Sequence, residues 1–191
     1  MAARQLSLAI CLWLTCVGVT QAQELRQLPR SDGNHTPIML YGNWQQPCPT
    51  VVIFSHGLGG SEKGLSAYAE ALAGEGYSVA VMGHTESGRD VRFSILRGKK
   101  IAHVVADPAL HRLRMADLDA TLAFAKECCD PETLILGGHS MGAATTMVEA
   151  GAVSKLGLKG QQRFDGYIAL SPQGVGWMFD KGAWDTVNAP V

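Results

Sequence analysis

Hydrophobic positions along the chain fall into two alternating kinds of run. Val51-Val52-Ile53-Phe54, Tyr77-Ser78-Val79-Ala80-Val81, Thr133-Leu134-Ile135-Leu136 and Tyr167-Ile168-Ala169-Leu170 are short, nearly continuous apolar stretches. Such stretches are expected of strands buried on both faces of a parallel sheet. Between the first two, Leu65, Tyr68, Ala69, Leu72 and Ala73 recur at helical spacing until Gly74 and Gly76 close the segment, which predicts one β-α-β unit. A second, longer helix is announced by Asp107 as cap and Pro108 at the first position, where a missing N–H costs nothing. Leu110, Leu113, Asp117, Leu118 and Leu122 read as its inner stripe, with Asp117 the odd polar member, and Asp130-Pro131 closes it. A third helix is expected from Met141 to Ala152. Upstream, Gly33, Pro37, Gly42, Pro47 and Pro49 punctuate extended pieces such as Ile38-Met39-Leu40-Tyr41, read as antiparallel strands opening the sheet. The predicted fold class is α/β, a mostly parallel sheet with helices on both faces.

The first residues depart from this pattern. Arg4 precedes an apolar run from Leu6 to Val19, followed by Thr20-Gln21-Ala22 with small residues where a signal peptidase would read. Residues 1–22 are expected to be a secretory signal, with an α/β domain over residues 23–191 and an exported, periplasmic or extracellular, product. The run is too short to span a bilayer, which takes about 20 apolar residues. Composition adds a constraint: 191 residues, 47% hydrophobic, 17% charged and a net charge of -1 describe one globular domain. The one compact basic stretch, Arg97-Gly98-Lys99-Lys100, is the pattern of a solvated loop, so no nucleic-acid partner is expected. Cys48, Cys128 and Cys129 remain after the signal; if the strands they precede are parallel neighbours, the thiols gather at one end of the sheet, and the sequence leaves open both a bridge from Cys48 to one of the other two and three buried or free thiols.

Candidate chemistry centres on Gly138-His139-Ser140-Met141-Gly142, a Gly-x-Ser-x-Gly pentapeptide between a strand and a helix. A serine thrown out of so sharp a turn has strained backbone angles, and side chains at 138 and 142 would collide with the neighbouring strand and helix. The expected nucleophile is Ser140, with Gly138 and Gly142 shaping its elbow. After the strand that ends at Phe54 comes Ser55-His56-Gly57-Leu58-Gly59-Gly60. The backbone N–H groups of Leu58 and Met141 are expected to form an oxyanion hole, each donor worth about 2.7–4 kcal/mol in a transition state. A phosphate-cradling loop is the disfavoured rival, because Glu62 stands where its third glycine belongs and no Gly-Lys-Ser/Thr follows. His56 reads as structural, bonding loop backbone. His84 reads as ordering the long segment from Gly83 to Ala106, whose length suggests a substrate-covering element. His103, Asp107 and His111 stand four apart, but Pro108 interrupts their helix, and surface positions without metal are expected. No cofactor is expected.

A base is missing from this set. In α/β-hydrolases the triad runs Ser, Asp or Glu, then His along the chain, and no histidine follows Ser140. His139 should point elsewhere. Asp165 precedes its strand and so belongs to the wrong end of the sheet, while Asp180 and Asp185 fall in a loop. The expectation is a truncated chain whose acid and base lie beyond Val191.

From about Pro49 to Pro172 the sequence resembles the α/β-hydrolase group described as predicted dienelactone hydrolases, related to platelet-activating-factor acetylhydrolase-like and polyester-cleaving esterases. The resemblance rests on Phe54-Ser55-His56-Gly57-Leu58-Gly59-Gly60-Ser61, Gly76-Tyr77-Ser78-Val79, His84-Thr85-Glu86-Ser87-Gly88, the serine pentapeptide with Ala143, and Leu170-Ser171-Pro172. It implies a hydrolase of small-molecule or polymeric carboxylic esters, and members that extend beyond this chain's end. True dienelactone hydrolases use cysteine where this chain has Ser140. A non-catalytic binding protein of the same fold, or an acyltransferase, are the alternatives.

Overall fold

The computed structural model describes residues 23–45, 47–91 and 100–191. The expected leader, residues 1–22, lies outside the described residues, as do residues 92–99 of the expected substrate-covering segment. Strands β1 (Glu24–Pro29), β2 (His35–Tyr41), β3 (Thr50–Ser55), β4 (Ser78–Met82), β5 (Thr133–His139) and β6 (Gly166–Leu170) form one sheet in the order β1-β2-β4-β3-β5-β6. β1 and β2 are an antiparallel hairpin, and β2 runs antiparallel to β4. β4, β3, β5 and β6 are parallel, in the mixed arrangement expected from the sequence.

Alternation along β3 assigns the helices to their faces. Val51 and Ile53 join a cluster with Ile38, Leu40, Leu118 and Leu122, under α3 (Pro108–Cys129). Val52 and Phe54 point the other way, with Met39, Val81, Ala69 and Ala73, under α1 (Ser66–Gly74). Each such fully buried aliphatic or aromatic side chain contributes roughly 1.5–3 kcal/mol. A short helix α2 (Ile101–Val105) precedes α3, and α4 (Met141–Glu149) returns the chain from β5 to β6. α4 is shorter than the stretch to Ala152 expected from sequence, because Gly151 at φ 105° turns the chain out of it.

α3 begins and ends as its residues predict. The Asp107 side chain accepts from the Ala109 N–H at 2.8 Å, and Asp130 takes the left-handed conformation at φ 45°. Its buried stripe is different from the expected one. Leu110 and Leu113 are only half-buried, while His111, Arg114 and Asp117 face inward with Leu118 and Leu122. The expected surface position of His111 is thus corrected: its ring is buried and its Nε2 bonds the Val105 carbonyl at 2.8 Å, whereas His103 is exposed.

Cys48, just before β3, is disulfide-bonded to Cys129 at the end of α3, with a Cα–Cα distance of 5.3 Å. Cys128 keeps a free, half-buried thiol. The bridge spans 81 residues, a closure that restricts the unfolded chain by about 4–5 kcal/mol in the loop-entropy account. Beyond β6, residues 171–191 run without regular helix or strand. Met178, Phe179 and Ala183 from that stretch pack on Ala144, Met147 and Val148 of α4, covering its outer face.

Candidate active site

The parallel strands present their C-terminal ends on one side of the sheet, and the segments leaving β3 and β5 meet there. Ser140 follows β5 at φ 52° and ψ −113°, a region that L-residues avoid at a cost of about 1–3 kcal/mol. The bend is held from both sides. The Ser140 N–H donates to the Leu170 carbonyl at 2.9 Å, and the Ser140 carbonyl accepts from the Ala144 N–H at 3.0 Å. A methyl group on Gly138 would strike the backbone of Gly142, and one on Gly142 would strike the Ser55 carbonyl. Both glycines are therefore where a tight strand-to-helix turn has no room for a side chain.

The turn after β3 lies against this bend. A Cβ on Gly57 would sit 3.3 Å from the Ser140 Cβ and 3.1 Å from the His139 ring. The turn is stapled internally by the Gly60 N–H to the Gly57 carbonyl at 3.1 Å, and externally by the Gly59 N–H to the Ser87 carbonyl at 2.9 Å. Between turn and bend lies a cavity of about 260 Å³ whose lining includes Leu58, Gly59, Leu65, His139 and Ser140. Among the described residues, neither the Leu58 N–H nor the Met141 N–H has a hydrogen-bond acceptor. Met141 is the first residue of α4, where helix N–H groups have no intrahelical partner and the helix dipole is positive. Met141 as a whole is buried, directly after Ser140, which lines the cavity.

Behind the cavity is a buried polar network that sequence reading did not anticipate. His84 is buried, with Nδ1 2.8 Å from Asp117 Oδ2 and Nε2 2.8 Å from Ser55 Oγ. This is the connectivity of a Ser-His-Asp triad. All three side chains are sealed in the interior, however, and Ser55 Oγ also accepts from Arg114 Nη2 at 3.1 Å, so no substrate carbonyl can reach it. The ring of His84 is thus anchored in the core, at the start of the segment it was expected to order, where its carbonyl accepts from the Ser87 N–H at 3.1 Å. His56 fits the structural role read for it. Its Nδ1 lies 2.6 Å from the Gly57 carbonyl, and its Nε2 accepts from the His84 N–H at 3.0 Å.

Asp117 also accepts from Thr36 Oγ1 at 2.6 Å and from Arg30 Nη1 at 2.9 Å. Burial pushes its carboxyl up in pKa against the pull of these donors. Arg30 bonds Asp32 and Glu86 as well, tying the β1–β2 turn to the segment after β4. The Asp32 carboxyl is held well below the usual carboxylate range by that guanidinium. Periodicity could flag Asp117 as polar on an apolar stripe; its partners lie 33, 81 and 87 residues away in sequence, beyond any local pattern.

Asp165 precedes β6 and accepts from the Leu134 N–H at 2.8 Å, at the opposite end of the strands from Ser140. Asp180 and Asp185 are exposed in the irregular C-terminal stretch.

The family model for serine aminopeptidase S33, Hydrolase_4, matches residues 46–179. The chain belongs to this α/β-hydrolase family. Solved structures share the fold of this S33-type chain. The esterase Pf2001 of Pyrococcus furiosus superposes with a TM-score of 0.54 at 21% identity, covering 80% of this chain and 52% of that one. A candidate dienelactone hydrolase from Klebsiella pneumoniae gives 0.60 at 18% identity, covering 81% and 61%. A cold-adapted esterase from an Arctic intertidal metagenomic library gives 0.54 at 19%, covering 76% and 58%. The S33-type chain thus spans about half to three-fifths of the length of these relatives. Among curated proteins, none matches the sequence.

The buried histidines of this α/β hydrolase give it a defined acid response. Burial lowers His56 to about 2 and His111 to about 4, and places His84 well below its ordinary value. Each stays neutral when folded, whereas the unfolded chain binds a proton near pH 6.5. Stability is therefore full above about pH 6.5 and falls as the pH drops from there toward 4, by up to about 4 kcal/mol per pH unit if all three contribute. Urea denaturation at pH 7.5, 6 and 5 should show this decline, and His111→Gln should make it shallower. A slope identical in the variant would remove His111 from the account.

Proposed function

We propose that this chain carries the nucleophile and oxyanion hole of an exported carboxylic-ester hydrolase. The observation that supports it best is Ser140 at positive φ on a tight bend, facing the same cavity as Leu58 and directly followed by the unpaired Met141 amide. In this reading Ser140 Oγ attacks the ester carbonyl while a general base takes its proton. The carbonyl π pair moves onto oxygen, and the Leu58 and Met141 N–H groups hold the resulting negative charge. Collapse expels the alcohol, which receives the proton, and leaves an acyl group on Ser140. Water then cleaves that acyl-enzyme by the same steps.

Among the described residues no histidine is hydrogen-bonded to Ser140, and none of them is assigned as the base in this reading. Both ring nitrogens of His56 and of His84 are engaged in the interior. The substrate is a small-molecule or polymeric ester, in keeping with a cavity lined by glycines, Leu58, Leu65, His56, His139 and Ser140, with no Asp, Glu, Lys or Arg among the lining residues. Export through cleavage of residues 1–22 is supported by the Cys48–Cys129 bridge, since structural disulfides persist in oxidising compartments.

A fluorophosphonate probe should label the protein expressed from its complete gene at Ser140. Ser140→Ala should abolish labelling and lower ester hydrolysis by about 10⁴-fold or more with unchanged circular dichroism. A wild-type protein that resists the probe would instead favour a non-catalytic binding role. Mass spectrometry of the secreted protein should find its N-terminus near Gln23, and a product retaining residues 1–22 would contradict export.

A further inference from the structure

The two proposed oxyanion donors belong to different elements, the turn after β3 and the first residue of α4. Two donors act together only if their separation is set to a few tenths of an ångström, and nothing covalent sets it. Arg114 lies on neither element. It projects from α3, and its side chain is fully buried. Among the described residues its guanidinium touches no carboxylate, and its hydrogen bonds go to neutral oxygens. Nη2 donates to the His56 carbonyl and to Ser55 Oγ, Nη1 to Ser87 Oγ at 2.6 Å, and Nε to Thr145 Oγ1 at 3.3 Å.

Those acceptors lead to the two donor segments. The His56 carbonyl lies two residues ahead of the Leu58 N–H, in the turn itself. Ser87 carries the carbonyl that holds the Gly59 N–H at 2.9 Å, so the guanidinium grips that turn a second time from outside. On the other side, the Thr145 hydroxyl donates to the Met141 carbonyl at 3.2 Å, in the first turn of α4. A buried cation without an ion-pair partner is expensive to keep. A flat fork with donors at fixed angles is, however, the one side chain able to hold several carbonyl and hydroxyl oxygens in a set mutual geometry.

We propose that Arg114 is a positioning residue for the oxyanion hole, clamping the turn at His56 and α4 at Thr145 so that the Leu58 and Met141 amides converge on one oxygen. This inference rests on Ser140 being the nucleophile. It predicts an effect on turnover and little on substrate affinity, because the ground-state carbonyl needs the paired amides far less than the charged intermediate does.

The test uses the protein expressed from its complete gene, with kcat and KM for a p-nitrophenyl ester measured per Ser140 titrated by a fluorophosphonate. Arg114→Met should lower kcat by about tenfold to a hundredfold with KM within about twofold. Arg114→Lys should recover part of the loss, since one ammonium cannot span all four acceptors. Thr145→Val, nearly isosteric, should lower kcat by about threefold to tenfold by freeing the α4 side alone. Arg163→Met, which breaks the Arg163–Glu149 ion pair at the far end of α4, should lower stability and leave kcat per titrated site unchanged. If Arg114→Met does not fold, Arg114→Lys and Thr145→Val decide between the outcomes. Wild-type kcat per site in the Arg114 and Thr145 variants, or a loss confined to KM, would overturn the clamp while leaving Ser140 in place. A wild-type protein that fails to label at Ser140 would overturn the nucleophile, and the clamp with it.

Discussion

The approach of α4 to the end of β3 governs the geometry on the C-terminal side of the sheet. Gly142 brings its Cα onto the Ser55 carbonyl, and Gly138 brings its own onto the backbone of Gly142, in spaces that a single methyl group would overfill. Ser140 sits on a tight bend because Gly138 and Gly142, two residues to either side of it, carry no side chain. The strain at its φ of 52° persists because the flanking elements are fixed independently: β5 between β3 and β6, and α4 under Met178 and Phe179. Local sequence, packing and the exposure of one hydroxyl are here a single constraint.

A second constraint sits one layer deeper. Arg30, Asp117, His84, Ser55 and Arg114 form a chain of buried polar groups crossing from the β1–β2 hairpin to the turn beneath the cavity. In a low-dielectric interior such a network stabilises only when every member is satisfied, and a single deletion leaves a neighbour unpaired. Its Ser-His-Asp segment has the hydrogen-bond order of a catalytic triad without the access. Burial, rather than residue identity, separates this structural relay from a reactive one, and the same burial keeps His84 neutral.

Much of this architecture was legible in the residues themselves. Continuous apolar runs identified β3, β4, β5 and β6, and Asp107-Pro108 marked the start of α3 to the residue. The serine pentapeptide could be placed on a strand-to-helix turn because its glycines have a steric reason to be there. What could not be read was anything that depended on partners far apart in sequence. Arg114 and His111 look like solvent-facing members of an amphipathic helix until Ser55, His56 and Val105 supply their acceptors. Cysteine spacing brought Cys48 to the pair at 128 and 129, but the choice of Cys129 followed from which face of α3 turns inward. Family membership, the shared fold and this bend agree with one another.

The convergence of two backbone amides on one oxygen can be observed directly. In a crystal structure of the protein from its complete gene after reaction with a fluorophosphonate, the phosphonyl oxygen on Ser140 should lie about 2.7–3.1 Å from both the Leu58 and the Met141 nitrogens. An adduct on another side chain, or a phosphonyl oxygen directed into solvent away from both amides, would contradict the account.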